Sequence, residues 1–91
     1  MSLIETIHRI EKMEKIYDIL QNAVLQNPKS VKEDTFIKEM LQTLMEYYDN
    51  GQWLLDYECD ERGEVPKDLK RGVLSEDGVY NLLLQLTHQS N

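Results

Sequence analysis

The sequence predicts a small all-α protein: a helical hairpin of two long helices, an ordered loop region carrying acidic and basic residues, and a short C-terminal helix. Three observations predict this small α-bundle. Apolar residues recur every three or four positions through two long segments, which is helical spacing. Residues that favour helix starts and helix ends bound both segments. The chain has 91 residues, of which 41% are apolar, and we therefore expect residues 1–91 to form a single helical domain.

The first helix is predicted over residues 3–26. Ser2 and Glu5 have the spacing of a capping box. An apolar stripe follows, made of Leu3, Ile7, Ile10, Met13, Tyr17, Leu20 and Val24. Asn27 and Pro28 end the helix, because the residue before a proline disfavours helical dihedrals and proline cannot continue the hydrogen-bond ladder.

The second helix is predicted over residues 31–50. Ser30 and Glu33 repeat the capping-box spacing, and Asn50 and Gly51 supply the end signal. Its apolar stripe consists of Ile37, Met40, Leu41, Leu44 and Tyr48. Because the connection to the first helix is short, the two helices should form an antiparallel hairpin.

The remaining chain is predicted to be less regular. A short helical turn is expected over about 52–58, and Gly63 and Pro66 indicate a loop after it. Ser75 caps a last helix over 76–87. The buried face of that helix should consist of Val79, Leu82, Leu83 and Leu86.

Charge and cysteine content limit the function classes. The chain has 17 acidic and 10 basic residues, a net charge of −7, which disfavours broad binding to nucleic acid or to an anionic membrane. Cys59 is the only cysteine, so no intrachain disulfide can form and a reducing compartment fits best. No signal peptide is recognisable, and no apolar run approaches the ~20 residues of a membrane span. The predicted location is therefore the cytoplasm, with no membrane partner.

The second half of the chain contains three specific strings. They are YYDNGQW at 47–53, DYE at 56–58 and PKDLKRGVLSED at 66–77. These strings resemble an uncharacterised bacterial family of short helical proteins, domain of unknown function 4298. The first half resembles the family only in its helical pattern, its length and the start RIEKME at 9–14. The resemblance implies no activity, cofactor or catalytic residue, because the family has none assigned.

Metal binding was considered for the acidic segment that begins at Asp56. Asp56, Glu58 and Asp60 alternate as at the start of an EF-hand loop, which needs glycine at its sixth position and glutamate at its twelfth. Those positions hold Glu61 and Lys67. We therefore predict no metal site and interpret the segment as solvated, with the basic residues of 67–71 able to neutralise it.

Catalysis is not favoured by the residues present. His8, His88 and Cys59 form no plausible nucleophile arrangement or closed zinc site. The four glycines are scattered singly and match no phosphate-binding loop. We predict no catalytic residue and no cofactor, and an acidic-site enzyme or cation binder is kept as an alternative.

A candidate functional surface combines Trp53 and Tyr57 with Lys67, Lys70 and Arg71. Aromatic rings beside basic side chains are typical of single-strand nucleic-acid binding, so a small nucleic-acid-associated regulator is a second alternative. The competing interpretation is that Trp53 is mainly structural and buried. The loop Arg62 to Gly72 would then be ordered by apolar contacts of Leu69, Val73 and Leu74, with its basic residues facing the upstream acids.

The leading hypothesis is a non-catalytic module for protein–protein interaction or self-association. The apolar surface of the first helix sweeps about half of its circumference, more than one hairpin partner covers. The predicted last helix is short, so part of this surface should stay exposed and form the interface of a two-fold dimer. The interface residues would be Ile7, Ile10, Ile16, Ile19 and Leu20. The rival explanation is that the last helix closes a three-helix bundle.

Overall fold

The computed structural model describes residues 3–26, 29 and 33–87. Four α-helices lie in these ranges: α1 (Leu3–Gln26), α2 (Thr35–Asp49), α3 (Gln52–Glu61) and α4 (Glu76–Thr87). One turn of 3₁₀ helix, Gly72–Leu74, directly precedes α4 and is called the 3₁₀ turn below. The described residues contain no strand. The prediction of a small all-α bundle is therefore confirmed.

The start of α2 differs from its prediction. The helix begins at Thr35 rather than at 31, because Asp34 acts as its N-cap. The Asp34 carboxylate accepts hydrogen bonds from the backbone N–H of Phe36 at 2.8 Å and of Ile37 at 3.3 Å. These two bonds satisfy donors that have no partner within the helix.

Several predicted helix-boundary signals cannot be compared with the structure. Ser2, Asn27, Pro28 and Ser30 lie outside the described residues, as does His88. The observed range of α1 is the predicted one, 3–26.

The turn between α2 and α3 follows from Asn50 and Gly51. The Asn50 backbone N–H donates to Glu46 O at 2.9 Å, and its side-chain oxygen accepts from Gln52 N at 2.9 Å. Gly51 has a φ of 93°, a left-handed conformation that glycine adopts without steric cost. The helix that follows runs to Glu61, three residues beyond the predicted turn at 52–58. The acidic residues of this segment continue the helix instead of entering a loop.

α1 packs against α2, the 3₁₀ turn and α4, and the core lies between these elements. The buried apolar residues come from every element: Ile10, Met13, Ile16, Tyr17, Leu20, Ile37, Leu44, Tyr47, Trp53, Cys59, Val65, Val73, Leu74, Val79, Leu82 and Leu86. None of the described helices combines the length and apolar character that crossing a membrane requires.

This packing corrects the expectation about the apolar surface of α1. Ile10 and Leu20 are 0% exposed and Ile16 is 5% exposed within one chain, so they do not form an uncovered stripe. Ile7 and Ile19 are half-buried. The expectation of an exposed stripe took only the second and the last helix as covering α1. The 3₁₀ turn also packs on α1.

Candidate functional site

The segment between α3 and α4 is held by side-chain contacts. The Arg71 guanidinium forms an ion pair with Asp60 and donates a hydrogen bond to Pro66 O at 2.9 Å. Val65, Val73 and Leu74 are buried, and Leu69 packs on the core. The apolar contacts agree with those expected for this loop, and Val65 is a further apolar anchor that the sequence analysis did not identify.

The basic residues of the candidate functional surface are placed differently from one another. Arg71 is engaged by Asp60 on α3. The Lys70 ammonium lies 4.0 Å from an Asp18 carboxylate oxygen, and Lys67 is exposed. Two of the three basic residues therefore lie beside acids of different helices, Arg71 beside α3 and Lys70 beside α1.

Trp53 is a structural residue in this fold. Its side chain is 7% exposed, and its ring contacts those of Tyr48 and Tyr57 at centroid distances of 5.1 Å each. The indole N–H donates to Val73 O at 2.8 Å. The alternative that placed Trp53 on an exposed stacking surface is contradicted by this burial, and the predicted structural role agrees with it.

The backbone of Val73 is fixed from both sides. Glu14 Oε1 accepts a hydrogen bond from Val73 N at 2.8 Å, while Trp53 binds the carbonyl oxygen of the same residue. Glu14 is itself 8% exposed. We call Glu14, Trp53 and Val73 the Val73 junction, which fastens the 3₁₀ turn to α1 and α3.

A second polar junction lies where α1, α2 and α3 meet. Asp56 is 0% exposed, and its Oδ2 accepts from Tyr47 Oη at 2.7 Å and from Arg9 Nε at 2.8 Å. Arg9 Nη2 also pairs with Asp56 Oδ1. We call Arg9, Tyr47 and Asp56 the Asp56 junction.

The Asp56 junction shifts the ionisation of its members. The pKa of Tyr47 is raised strongly, first by burial of the phenol and then by its hydrogen bond to Asp56. The pKa of Arg9 is raised, chiefly by its hydrogen bond to the Asp56 carboxylate. Both shifts favour the protonated forms that donate to Asp56.

The three acidic residues considered for metal binding have different surroundings on α3. Asp56 points into its junction, Asp60 pairs with Arg71, and Glu58 is exposed. Within residues 3–26, 29 and 33–87, no three His, Cys, Asp or Glu side chains come close enough together to hold a metal ion.

A cleft of about 240 Å³ opens between α1 and α3, and we call it the α1–α3 cleft. It is lined by Leu3, Thr6, Arg9, Leu55, Asp56, Cys59, Arg62 and Glu64. Leu3 and Leu55 are exposed, whereas Thr6, Asp56 and Cys59 are buried. The cleft thus joins exposed leucines from two helices to a charged and hydrogen-bonded interior.

The polar groups of the α1–α3 cleft bind one another. Cys59 Sγ donates to Glu64 Oε1 at 3.4 Å, and Arg62 Nε lies 3.2 Å from Glu64 Oε2. Burial and then the hydrogen bond to Glu64 raise the pKa of the Cys59 thiol. The hydrogen bond from Arg62 is the main reason that the pKa of Glu64 is lowered. These shifts keep the thiol protonated and the carboxylate ionised.

Comparison with known proteins identifies the family of this chain. Residues 10–90 of the chain match the family described as Domain of unknown function (DUF4298). The chain belongs to the DUF4298 family. No curated protein and no solved structure matches it. The family resemblance drawn from the strings of the second half is thereby confirmed.

The DUF4298 match covers most of the two junctions. Glu14, Tyr47, Trp53, Asp56 and Val73 lie inside the matched range. Arg9 lies one residue before that range. Both junctions, apart from Arg9, therefore lie in the part of the chain that matches the family.

Two of these junction residues were missed in the sequence although their helical positions carry a signal. Glu14 lies four residues after Ile10 and three before Tyr17, on the buried side of α1. Asp56 lies three residues from both Trp53 and Cys59 on the buried side of α3. A charged residue at a buried position of a helical stripe indicates an internal partner.

Proposed function

We propose that this DUF4298 protein is a protein-interaction module, without catalytic chemistry of its own, that binds a partner at the α1–α3 cleft. The observation that carries the proposal is the position of Leu3 and Leu55. They come from different helices, line the same cleft and are 46% and 51% exposed. Ile4 and Leu54, their neighbours in sequence, are exposed as well.

Exposed leucines support binding only when they act together. Single apolar side chains are common on protein surfaces, whereas contiguous apolar patches mark interfaces. Leu3 and Leu55 border one concave site, so one partner surface could cover both. Burying their exposed parts under a partner would stabilise a complex, since each Å² of apolar surface removed from water contributes about 25 cal/mol.

The interior of the cleft supports a binding role rather than acid–base catalysis. A general acid needs a carboxyl group with a raised pKa. Glu64 has a lowered pKa because it pairs with Arg62, and Asp56 is buried against Arg9 and Tyr47. The buried network of Arg9, Tyr47 and Asp56 suits a floor beneath the two leucines.

Site-specific photo-crosslinking in cells that express the protein tests the proposal. A photoreactive amino acid replaces Leu55 in one variant and Phe36 in a control variant. Phe36 is a matched control because it is 52% exposed, close to the 51% of Leu55, and lies on α2. We expect protein adducts from position 55 at several times the yield from position 36.

Two results would overturn the proposal. One is the absence of any protein adduct from position 55. The other is an equal yield from positions 55 and 36, which would show that the adducts arise from random collision with any exposed apolar residue.

A further inference from the structure

Building on the proposed function, we infer that the partner bound at the α1–α3 cleft is a second copy of this chain, related by a two-fold axis. The inference rests on the distribution of charge over the surface clefts. The chain carries a net charge of −7, so most faces of one copy repel another copy.

The α1–α3 cleft is locally neutral. Its lining contains two arginines, Arg9 and Arg62, and two carboxylates, Asp56 and Glu64. Charges farther away than the Debye length of about 8 Å are largely screened at physiological salt. Counted over the lining residues, as for the clefts below, the sum here is zero, so this face repels a second copy less than an acidic cleft does.

Three other clefts are acidic. The cleft between α3 and α4 includes one arginine and four acids: Arg71, Asp60, Glu61, Glu76 and Asp77. The cleft beside Leu69 has four acids and two lysines: Glu11, Glu14, Asp18, Asp68, Lys15 and Lys70. The cleft at the end of α2 has Glu46 and Asp49 as its charged residues. A second acidic chain is repelled at each of these places, whereas a basic foreign partner would be drawn to them.

The charged groups at the rim of the α1–α3 cleft are also self-complementary. Arg62 and Glu64 lie two residues apart, and their side chains are 59% and 51% exposed. A two-fold axis brings each surface against itself, so Arg62 of one copy can face Glu64 of the other. The same operation brings the exposed leucines of both copies together. One patch thus supplies apolar contact and matched charge.

A cleft between α1 and α4 is the main competing face for a second copy. Its lining is uncharged and includes Gln21, Leu25, Asn81 and Gln85, and Leu25 is 80% exposed. It lacks a pair of opposite charges that a two-fold axis could exchange. Leu25 therefore provides the matched control for a substitution at Leu55.

Light scattering on a size-exclusion column measures the outcome. At tens of micromolar we expect a mass of about twice the 10.8 kDa of one chain. Leu55→Asp should halve this mass, and Leu25→Asp should leave it unchanged. Far-UV circular dichroism of each variant must match the wild type, which separates loss of the dimer from loss of the fold.

A charge exchange tests the two-fold arrangement itself. Arg62→Glu and Glu64→Arg should each weaken the dimer at least several-fold, because each places like charges opposite each other. An equimolar mixture of the Arg62→Glu and Glu64→Arg variants should recover the dimer, because opposite charges then face each other across the axis while each chain alone still carries like charges at positions 62 and 64. Failure of the mixture to recover, with both folds intact, would overturn the two-fold arrangement.

The results also separate this inference from the proposed function. A monomeric wild type, or a dimer lost in Leu25→Asp and kept in Leu55→Asp, overturns the inference. If position 55 then still yields adducts with a different protein, the interaction function stands with another partner. If position 55 yields no adduct, both fail.

Discussion

The Asp56 junction and the Val73 junction are both buried and polar, yet they are built in different ways. At the Asp56 junction, three side chains satisfy one another. At the Val73 junction, the side chains of Glu14 and Trp53 satisfy the N–H and the C=O of one backbone residue. The first joins helices to each other, and the second joins a short non-α segment to the helices.

This difference determines what a substitution leaves behind. A network of side chains can be removed as a set, because replacing all of its polar groups leaves nothing unpaired. Replacing a side chain at the Val73 junction leaves the backbone groups of Val73 in place, and a buried N–H or C=O without a partner costs about 1–3 kcal/mol. The Val73 junction should therefore tolerate less change than the Asp56 junction.

The largest effect is expected at the Val73 junction. Trp53→Ala should lower the free energy of unfolding by about 4 kcal/mol, because it removes a buried aromatic ring and leaves Val73 O without its donor. Chemical denaturation measures the change. Trp53→Phe keeps most of the ring and removes the N–H donor, so it should lose much less stability. If the free energy of unfolding of Trp53→Ala lies within about 0.5 kcal/mol of the wild-type value, the Val73 junction does not have this stabilising role.

A somewhat smaller effect is expected at the Asp56 junction. Asp56→Ala should cost about 3 kcal/mol, because it leaves the largely buried Arg9 and Tyr47 without their acceptor. The value lies at the low end for a broken buried ion pair because the Arg9 side chain keeps 15% exposure to water.

The contrast between the junctions is tested by removing the Asp56 network as a set. The triple variant Arg9→Met/Tyr47→Phe/Asp56→Leu should be more stable than Asp56→Ala alone, since no polar group of the network remains. Chemical denaturation of both variants gives the comparison. If the triple variant is less stable than Asp56→Ala, the ion pair and its hydrogen bonds make a net favourable contribution to the free energy of unfolding.

The smallest expected effect concerns the contact between Gly78 on α4 and Tyr17 on α1. A Cβ at Gly78 would lie 2.5 Å from Tyr17 Oη, so Gly78→Ala forces the buried tyrosine to move and should cost about 1 kcal/mol. In a Tyr17→Phe background this conflict is absent. There the same substitution should stabilise α4 by up to about 1 kcal/mol, because alanine favours helix over glycine.

Thermal denaturation of the four chains in this double-mutant cycle checks the sign change. If Gly78→Ala has the same effect in both backgrounds, then Tyr17 does not limit the approach of α4 to α1, and the contact there is looser than the structure indicates.

The helices and the apolar anchors were predictable because they depend on local patterns. The 3.6-residue periodicity indicated the range of α1, and an aromatic residue two positions after the helix-ending Asn50–Gly51 pair indicated the burial of Trp53. Val73 and Leu74 were expected anchors for the same kind of reason: apolar residues in a polar loop need a place to pack.

The two junctions were not predictable by local reasoning, since their partners are far apart in sequence. Arg9 and Asp56 are 47 residues apart, and Glu14 and Val73 are 59 apart. Asp56 was grouped with the acidic residues after it, which hid its place on the buried side of α3. The 3₁₀ turn has only three residues and no periodicity, so its coverage of α1 could not be anticipated.

The hydrogen bond from Val73 N to Glu14 also bears on how the chain could be dissected. It spans 59 residues, so forming it costs more loop-closure entropy than a contact within one helix does. A fragment that stops after α3 would lack the 3₁₀ turn and α4, and the part of the α1 surface that packs on them, with Glu14 in it, would be left uncovered. We therefore expect the smallest piece that folds to extend at least through the 3₁₀ turn.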